Sequence, residues 1–446
     1  MRWLIKGGRV IDPANQFDGA ADVLIEDGKI AAVLPAGGSG SKEGFFSAPG
    51  AEKSAGGEEM TVDARGLLVL PGLVDMHVHL REPGYERKET IASGTRAAAR
   101  GGFTTVVCMP NTLPVADSRA VIEFIRRQAE VTAAVNVYPV GAITKGSAGQ
   151  ELAEIAELWE GGAVAVSDDG RPVMNAEIMR RALEYVKITG FPVISHCEDL
   201  NLSEEGQIHE GYWSMLLGLK GIPSAAEEVM VARDLILAEA SGSRLHLAHV
   251  STAGSVRMLR DAKARGVAVT AEVTPHHLVL TDAATASFDT ATKVNPPLRA
   301  ESDRQALVAA LREGIIDAVA TDHAPHTLEE KDCEYDFAPF GISGLETAFP
   351  LLWTCLVEKG ELLASQLVAS MTCRPAGILN LPKGTLSPGA DADIVLVDPQ
   401  LEITVNKYDF VSQGKNTPFH GWKLKGWPVA TMVKGRWVMR ERRLLV

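Results

Sequence analysis

The chain has 446 residues, 46% of them hydrophobic, and a formal net charge of −13 at pH 7. That length suffices for one large core plus a smaller satellite, and the composition excludes a disordered chain. The acidic balance excludes a general nucleic-acid or anionic-membrane surface, because either partner needs a basic footprint.

The first residues, MRWLIKGGRVIDP, lack the long apolar stretch of a secretory signal, and no apolar run approaches a membrane span. The five cysteines, Cys108, Cys197, Cys333, Cys355 and Cys373, are scattered without C-x-x-C spacing. That argues against a disulfide framework or a zinc knuckle and fits the reducing cytoplasm. Residues 1–70 hold short β-like runs, KGGRVI and DVLIEDGKIAAV. Within them, Gly37–Met60 is rich in Gly, Ser, Ala, Glu and Lys and reads as a mobile surface insertion without chemistry.

From Leu73 onward, apolar runs alternate with helical patterns. Eight strands are predicted: LVDMHVHL from Leu73, FTTVVCMP from Phe103, AAVNVYPVG from Ala133, AVAVSDD from Ala163, FPVISHCED from Phe191, RLHLAHVS from Arg244, VAVTAEVTP from Val267 and IDAVATDHAPH from Ile316. Amphipathic stretches lie between them, among them Asp117–Glu130, Asn175–Thr189 and Ser224–Ser241, each opening on an N-capping residue type. Eight strand–helix units without a Gly-rich dinucleotide turn predict an α/β chain with a (β/α)8 barrel over 71–379. Residues 380–446 return to β-like runs, DADIVLVD and ATMVKGRWVM. Since chain ends usually lie close together, both flanks are expected to build one small composite β-sandwich.

The apolar runs repeatedly end in residues that bind metal or move protons: His77 and His79 on the first, Asp168 and Asp169 on the fourth, His196 on the fifth, His249 on the sixth and Asp322 on the eighth. In a barrel these ends converge at the C-terminal face, where burying so many ionisable groups is costly unless a metal pairs them. His77 and His79 lie two apart, so the pleat turns both imidazoles to the barrel interior. Nitrogen and carboxylate donors without thiolate suit Zn²⁺, and the number of candidate ligands exceeds what one catalytic zinc uses, so two ions are expected.

At these residues the sequence resembles the dihydroorotases of the amidohydrolase superfamily, the long bacterial type. The likeness is carried by DMHVHLREPG at Asp75–Gly84, MPNT at Met109–Thr112, SDDGRPV at Ser167–Val173, SHCED, LAHVST, TPHHL, VNPPLR at Val294–Arg299, TDHAPH at Thr321–His326 and PFGISGLET at Pro339–Thr347, and it spans nearly the whole chain. The resemblance implies that His77, His79 and Asp322 bind one zinc, that His196 and His249 bind the other, and that Asp169 bridges them. Many relatives place a carbamylated lysine at that bridge, but GGAVAVSDDGRPV contains none. The residue chemistry leaves Asp168 open as the bridge, and the family's spacing to the next histidine ligand selects Asp169.

The resemblance further implies that His79, Arg81, Asn111 and Asn295 bind substrate, helped by His326 and the Phe340–Gly341 backbone. His276 and His277 read as structural or as supports for the ligands, and Thr327–Pro339 as a lid. The implied reaction is the zinc-dependent, reversible interconversion of (S)-dihydroorotate plus water and N-carbamoyl-L-aspartate in pyrimidine biosynthesis, with Asp322 moving the proton. The competing readings are another cyclic amidohydrolase, such as an allantoinase or hydantoinase, and a noncatalytic subunit of a carbamoyltransferase complex. A homodimer and association with aspartate carbamoyltransferase are the assemblies the resemblance admits.

Overall fold

The structure is a computed structural model that describes residues 2–36, 46–47 and 59–446. Its larger part is a barrel of eight strands: Leu73–Val78, Phe103–Cys108, Asn136–Pro139, Val166–Ser167, Val193–Ser195, Leu245–Leu247, Val269–Val273 and Ala318–Val319. The first three form one parallel ladder and the last five another. Single bridges, Gly141 to Val166 and Val78 to His323, close the two seams.

Each predicted apolar run contributes one strand. The runs are nearly uninterrupted because a barrel strand is covered on both faces, by the packed interior and by the surrounding helices. The fourth and eighth strands are shorter than their runs, and Asp168 shows why at the fourth. Its carboxylate accepts the backbone N–H groups of Ile143 (2.8 Å) and Thr144 (3.1 Å), so a side chain replaces the neighbouring strand's backbone partner. Asp75 does the same at the eighth, accepting from Thr321 N (3.1 Å) and Thr321 Oγ1 (2.5 Å).

The helices follow the predicted stretches with shifted starts. Asn175 caps Ala176–Tyr185 through bonds from Glu177 N and Ile178 N, as its residue type suggests. The helix expected from Asp117 begins at Arg119, because Asp117 instead accepts Gly146 N at 2.7 Å. Ser224 precedes Ala225–Ser241 without a side-chain cap bond.

A ten-stranded sheet joins both ends of the chain into the accompanying β-sandwich. Arg2–Asp12 pairs antiparallel with Phe17–Glu26 and parallel with Glu59–Asp63 and Leu68–Pro71. Leu68–Pro71 pairs with Ile394–Asp398, which in turn pairs with Trp427–Val433. Ile5, Val23, Ile25, Val69, Ile394, Leu396 and Met432 fill the core between these strands. Most of the Gly37–Met60 insertion lies outside the described residues. Within its bounds, Phe46–Ser47 is a strand, and Glu59 and Met60 open the strand paired with Arg2 and Trp3.

Leu68–Pro71 runs through Gly72 straight into the first barrel strand. A Cβ at Gly72 would sit 2.1 Å from Thr104 Oγ1, so only glycine allows the sandwich to meet the barrel this closely. Among the described residues no helix is long and apolar enough to cross a membrane. All five cysteines are free thiols.

Candidate metal centre

His77 leaves the first strand toward the barrel interior, and His79 follows just past the strand end, where its backbone N–H bonds to His323 O at 2.9 Å. The fourth strand delivers Asp169, the fifth His196, the sixth His249 and the eighth Asp322. His77, His79 and Asp169 present ligand atoms all within 4.8 Å of one another, and so do Asp169, His196 and His249. Asp169 is common to both groups. Asp322 joins the first through Oδ1, 2.9 Å from His79 Nε2 and 3.6 Å from His77 Nε2. Asp168 turns away to its bonds with Ile143 and Thr144, and burial pushes its carboxyl up to about 6.

Three of the four imidazoles have their outward nitrogen held, whereas His249 Nδ1 is buried without a hydrogen-bond partner. His77 Nδ1 donates to Glu272 Oε1 (2.6 Å), His79 Nδ1 to Asn111 Oδ1 (2.9 Å) and His196 Nε2 to Glu198 Oε2 (3.0 Å). A metal-ligating imidazole normally anchors its other nitrogen in this way. The inward atoms are poorly paired. His77 Nε2 and Asp169 Oδ1 are buried without a hydrogen-bond partner and stand 3.3 Å apart. His196 Nδ1 and His249 Nε2 face each other at 2.9 Å, at 3.6 and 3.5 Å from the same Asp169 oxygen. Buried donors and acceptors left so are costly. Nitrogen and carboxylate ligands converging on shared space fit a metal ion.

The electrostatics reflect the same crowding. Burial alone would push the Asp169 carboxyl up, yet the charge of His77 and the surrounding imidazoles hold it well below the usual range. Burial likewise opposes the charge on His196, but Asp169 and Glu198 raise it to about 10. The Asp322 carboxyl, against its burial, is held low by His79 and His77. Arg81, His249 and Asp322 all adopt left-handed backbone, at φ of 63°, 32° and 48°. Non-glycine residues in this region are strained, and such strain gathers at functional sites.

The expected substrate residues ring the same mouth. Arg81 Nε lies 3.4 Å from Pro325 O. Asn295 Nδ2 donates to Glu198 Oε2 at 2.9 Å, and Asn111 touches His79, so both asparagines also brace metal-facing histidines. His326 Nε2 donates to Phe340 O at 2.9 Å, and burial, reinforced by Arg81, lowers its imidazole to about 3. Gly341 N bonds to Lys293 O and Gly341 O receives Asn416 Nδ2, both at 2.9 Å. His277 is tied to Thr274 and Pro296, whereas the buried His276 Nε2 has no hydrogen-bond partner. Over Thr327–Pro339, Lys331 Nζ and Lys293 Nζ grip backbone carbonyls of Thr290, Pro339, Tyr335 and Asp336.

Sequence reasoning passed over Glu198, Glu272 and Asn416. For Glu272 a signal existed, a lone acid inside the apolar run VAVTAEVTP. Glu198 stands beside a histidine in SHCED, where it reads as an ordinary loop acid. Asn416 comes from the far C-terminal segment, and no local pattern connects it to the barrel.

Comparison with known proteins gives the family and the fold. A family model described as dihydro-orotase-like matches residues 66–255. A dihydroorotase of Pelotomaculum thermopropionicum is 60% identical over 442 residues, covering 99% of each chain. The chain belongs to the dihydroorotase family. Another dihydroorotase, from Syntrophus aciditrophicus, is 56% identical over 99% of this chain and 100% of its own length. Among solved structures, an L-hydantoinase (dihydropyrimidinase) from Arthrobacter aurescens superposes with a TM-score of 0.87 at 27% identity, covering 100% of this chain and 97% of that one. A dihydropyrimidinase from Brevibacillus agri gives 0.84 at 24% identity over 100% and 96%, a likeness of fold alone. Family membership therefore rests on sequence along the whole length, while the hydantoinases share its barrel and sandwich.

Proposed function

We propose that the chain catalyses the reversible, zinc-dependent interconversion of (S)-dihydroorotate plus water and N-carbamoyl-L-aspartate. The observation that carries this reading is the convergence of His77, His79, His196, His249, Asp169 and Asp322 on one buried space in a dihydroorotase-family chain. Two Zn²⁺ ions fit that donor set: His77, His79 and Asp322 would hold one, His196 and His249 the other, with Asp169 shared. Bound there, the ions would acidify a water and polarise the scissile carbonyl.

The chain's own groups do the rest. Asp322 keeps Oδ1 against His79 Nε2, which leaves Oδ2 to take the proton of the attacking water and return it to the departing ring nitrogen. Arg81 offers a planar donor fork to the exocyclic carboxylate, a charge an acidic protein must answer locally. Asn111 spends Oδ1 on His79 and has Nδ2 left for the same carboxylate. Asn295, His326 and the Phe340–Gly341 backbone border the ring. Ring closure reverses the proton's path.

A second reading, hydrolysis of a hydantoin-like ring, is prompted by the L-hydantoinase superposition. Arg81 favours the carboxylated substrate. Turnover of dihydroorotate, dihydrouracil, hydantoin and allantoin, measured beside zinc content on one sample, tests the choice. Preference for hydantoin or allantoin would sink the first reading, and absence of turnover on all four would leave a noncatalytic subunit. Asp322→Asn should lower kcat by about 10²- to 10⁴-fold. The proposal extends to a cytoplasmic location, a homodimer or a complex with aspartate carbamoyltransferase, and a division at 1–70, 71–379 and 380–446.

A further inference from the structure

Beneath the four imidazoles lies a second buried polar layer. Glu272, on the seventh barrel strand, is fully enclosed. Its Oε1 lies 2.6 Å from His77 Nδ1, and its Oε2 lies 3.2 Å from His246 Nε2. His246 Nδ1 meets Thr270 Oγ1 at 2.8 Å. A carboxylate only accepts, so both imidazoles must donate to it, and His246 Nδ1 then accepts the Thr270 hydroxyl proton. The contacts of this carboxylate are all met in one proton arrangement. That arrangement keeps the Nδ1 proton of His77 directed at Glu272 and leaves Nε2, unpartnered beside Asp169, as the nitrogen a metal ion would take. Glu272 Oε1 also receives the backbone N–H of His249 at 3.4 Å, at a residue whose φ of 32° needs holding. One carboxylate thus touches a member of each ligand group.

We propose that Glu272 is a positioning residue of the metal centre and His246 its support, together fixing the His77 tautomer and the placement of His249. The inference rests on the metal-centre reading above. Supporting carboxylates of this kind typically contribute 10- to 100-fold to metal affinity.

The test is Zn²⁺ affinity of the full-length chain, measured by competition with a chromophoric chelator, beside thermal unfolding of the metal-free protein. Glu272→Gln keeps the shape and should weaken Zn²⁺ binding by about 10- to 100-fold, while the metal-free midpoint changes little. His246→Gln should show a smaller loss in the same direction. A Glu272→Gln affinity within about twofold of the parent, with only the metal-free midpoint lowered, would reduce Glu272 to a structural role and overturn the proposal. Should Glu272→Gln fail to fold, His246→Gln decides, and unchanged affinity there overturns it equally. Absence of dihydroorotate turnover in the zinc-loaded parent would sink the substrate reading and leave this comparison standing. A parent that binds no zinc would sink both.

Discussion

Arg81 stands two residues beyond His79, with left-handed backbone and its guanidinium sunk near Asp322 and Asp169. Burial lowers its pKa, but an arginine keeps its charge in any protein setting. Losing one partner of a buried charge pair costs about 2–5 kcal/mol, so Arg81→Met should reduce kcat/KM for dihydroorotate by roughly 30- to several-thousand-fold. Zinc content should hold, and dihydrouracil turnover should fall far less. Equal losses on both substrates would move carboxylate recognition to another residue. Glu346, away from the metal, carries a different consequence. Burial pushes its carboxyl up to about 7, while Arg100 and the N–H groups of Val411 and Ser412 pull it down. A raised folded-state pKa means the group favours the folded chain below its unfolded value, and that support is lost as pH rises through about 7. Relative to the parent, Glu346→Gln should therefore lose less stability between pH 4 and 8, by up to about 3 kcal/mol. Parallel denaturant titrations would read this, and identical pH profiles would reject it.

Elements meet in this fold at a few close approaches. The helix Ile91–Arg100 ends on Gly101, where a Cβ would lie 2.1 Å from Leu345 O. Backbone cannot yield as a side-chain tip does, so Gly101→Ala should destabilise by about 1–3 kcal/mol. Gly377, exposed in Cys373–Ile378 with nothing within 4 Å of its missing Cβ, is the counterpart. Gly377→Ala should be neutral or stabilise by up to about 1 kcal/mol, and thermal midpoints distinguish the pair. How much of the fold was legible follows from similar local physics. The eight barrel strands announced themselves because burial on both faces demands unbroken apolar runs, and the convergence of His77, His79, Asp169, His196, His249 and Asp322 follows once those runs are closed into a barrel. Helix starts were less legible, since Asp117 can cap a helix or bond a distant loop, and only Gly146 decides. Glu272 carried no assignable role in the sequence because the histidines that justify it arrive from the first and sixth strands. Asn416 was invisible for a related reason: its amide donates to Ala324 O and Gly341 O, backbone atoms that leave no sequence signature.

At the scale of the whole molecule, the metal centre and the stability of the barrel are one problem. The crowded inward atoms of His77, Asp169, His196 and His249 disfavour the metal-free fold, and any ion bound only by the folded chain stabilises it by mass action. Chelation should abolish turnover and lower the thermal midpoint. Zinc at about a thousand times its dissociation constant should restore about 4 kcal/mol. An unchanged midpoint on chelation would show that the ligands are indifferent to the ion.

The barrel's last seam is a single bridge between Val78 and His323, and the ligands flanking it, His79 and Asp322, are 243 residues apart in sequence. A chain still emerging from the ribosome has five of the six proposed ligands before it has the sixth. Until Asp322 is made and the eighth strand docks on the first, the ring stays open and the donor set is incomplete. On the proposed ligand set, a centre filled by all six groups forms only after Asp322 is made, and filling it certifies that the first barrel strand and the eighth have found each other.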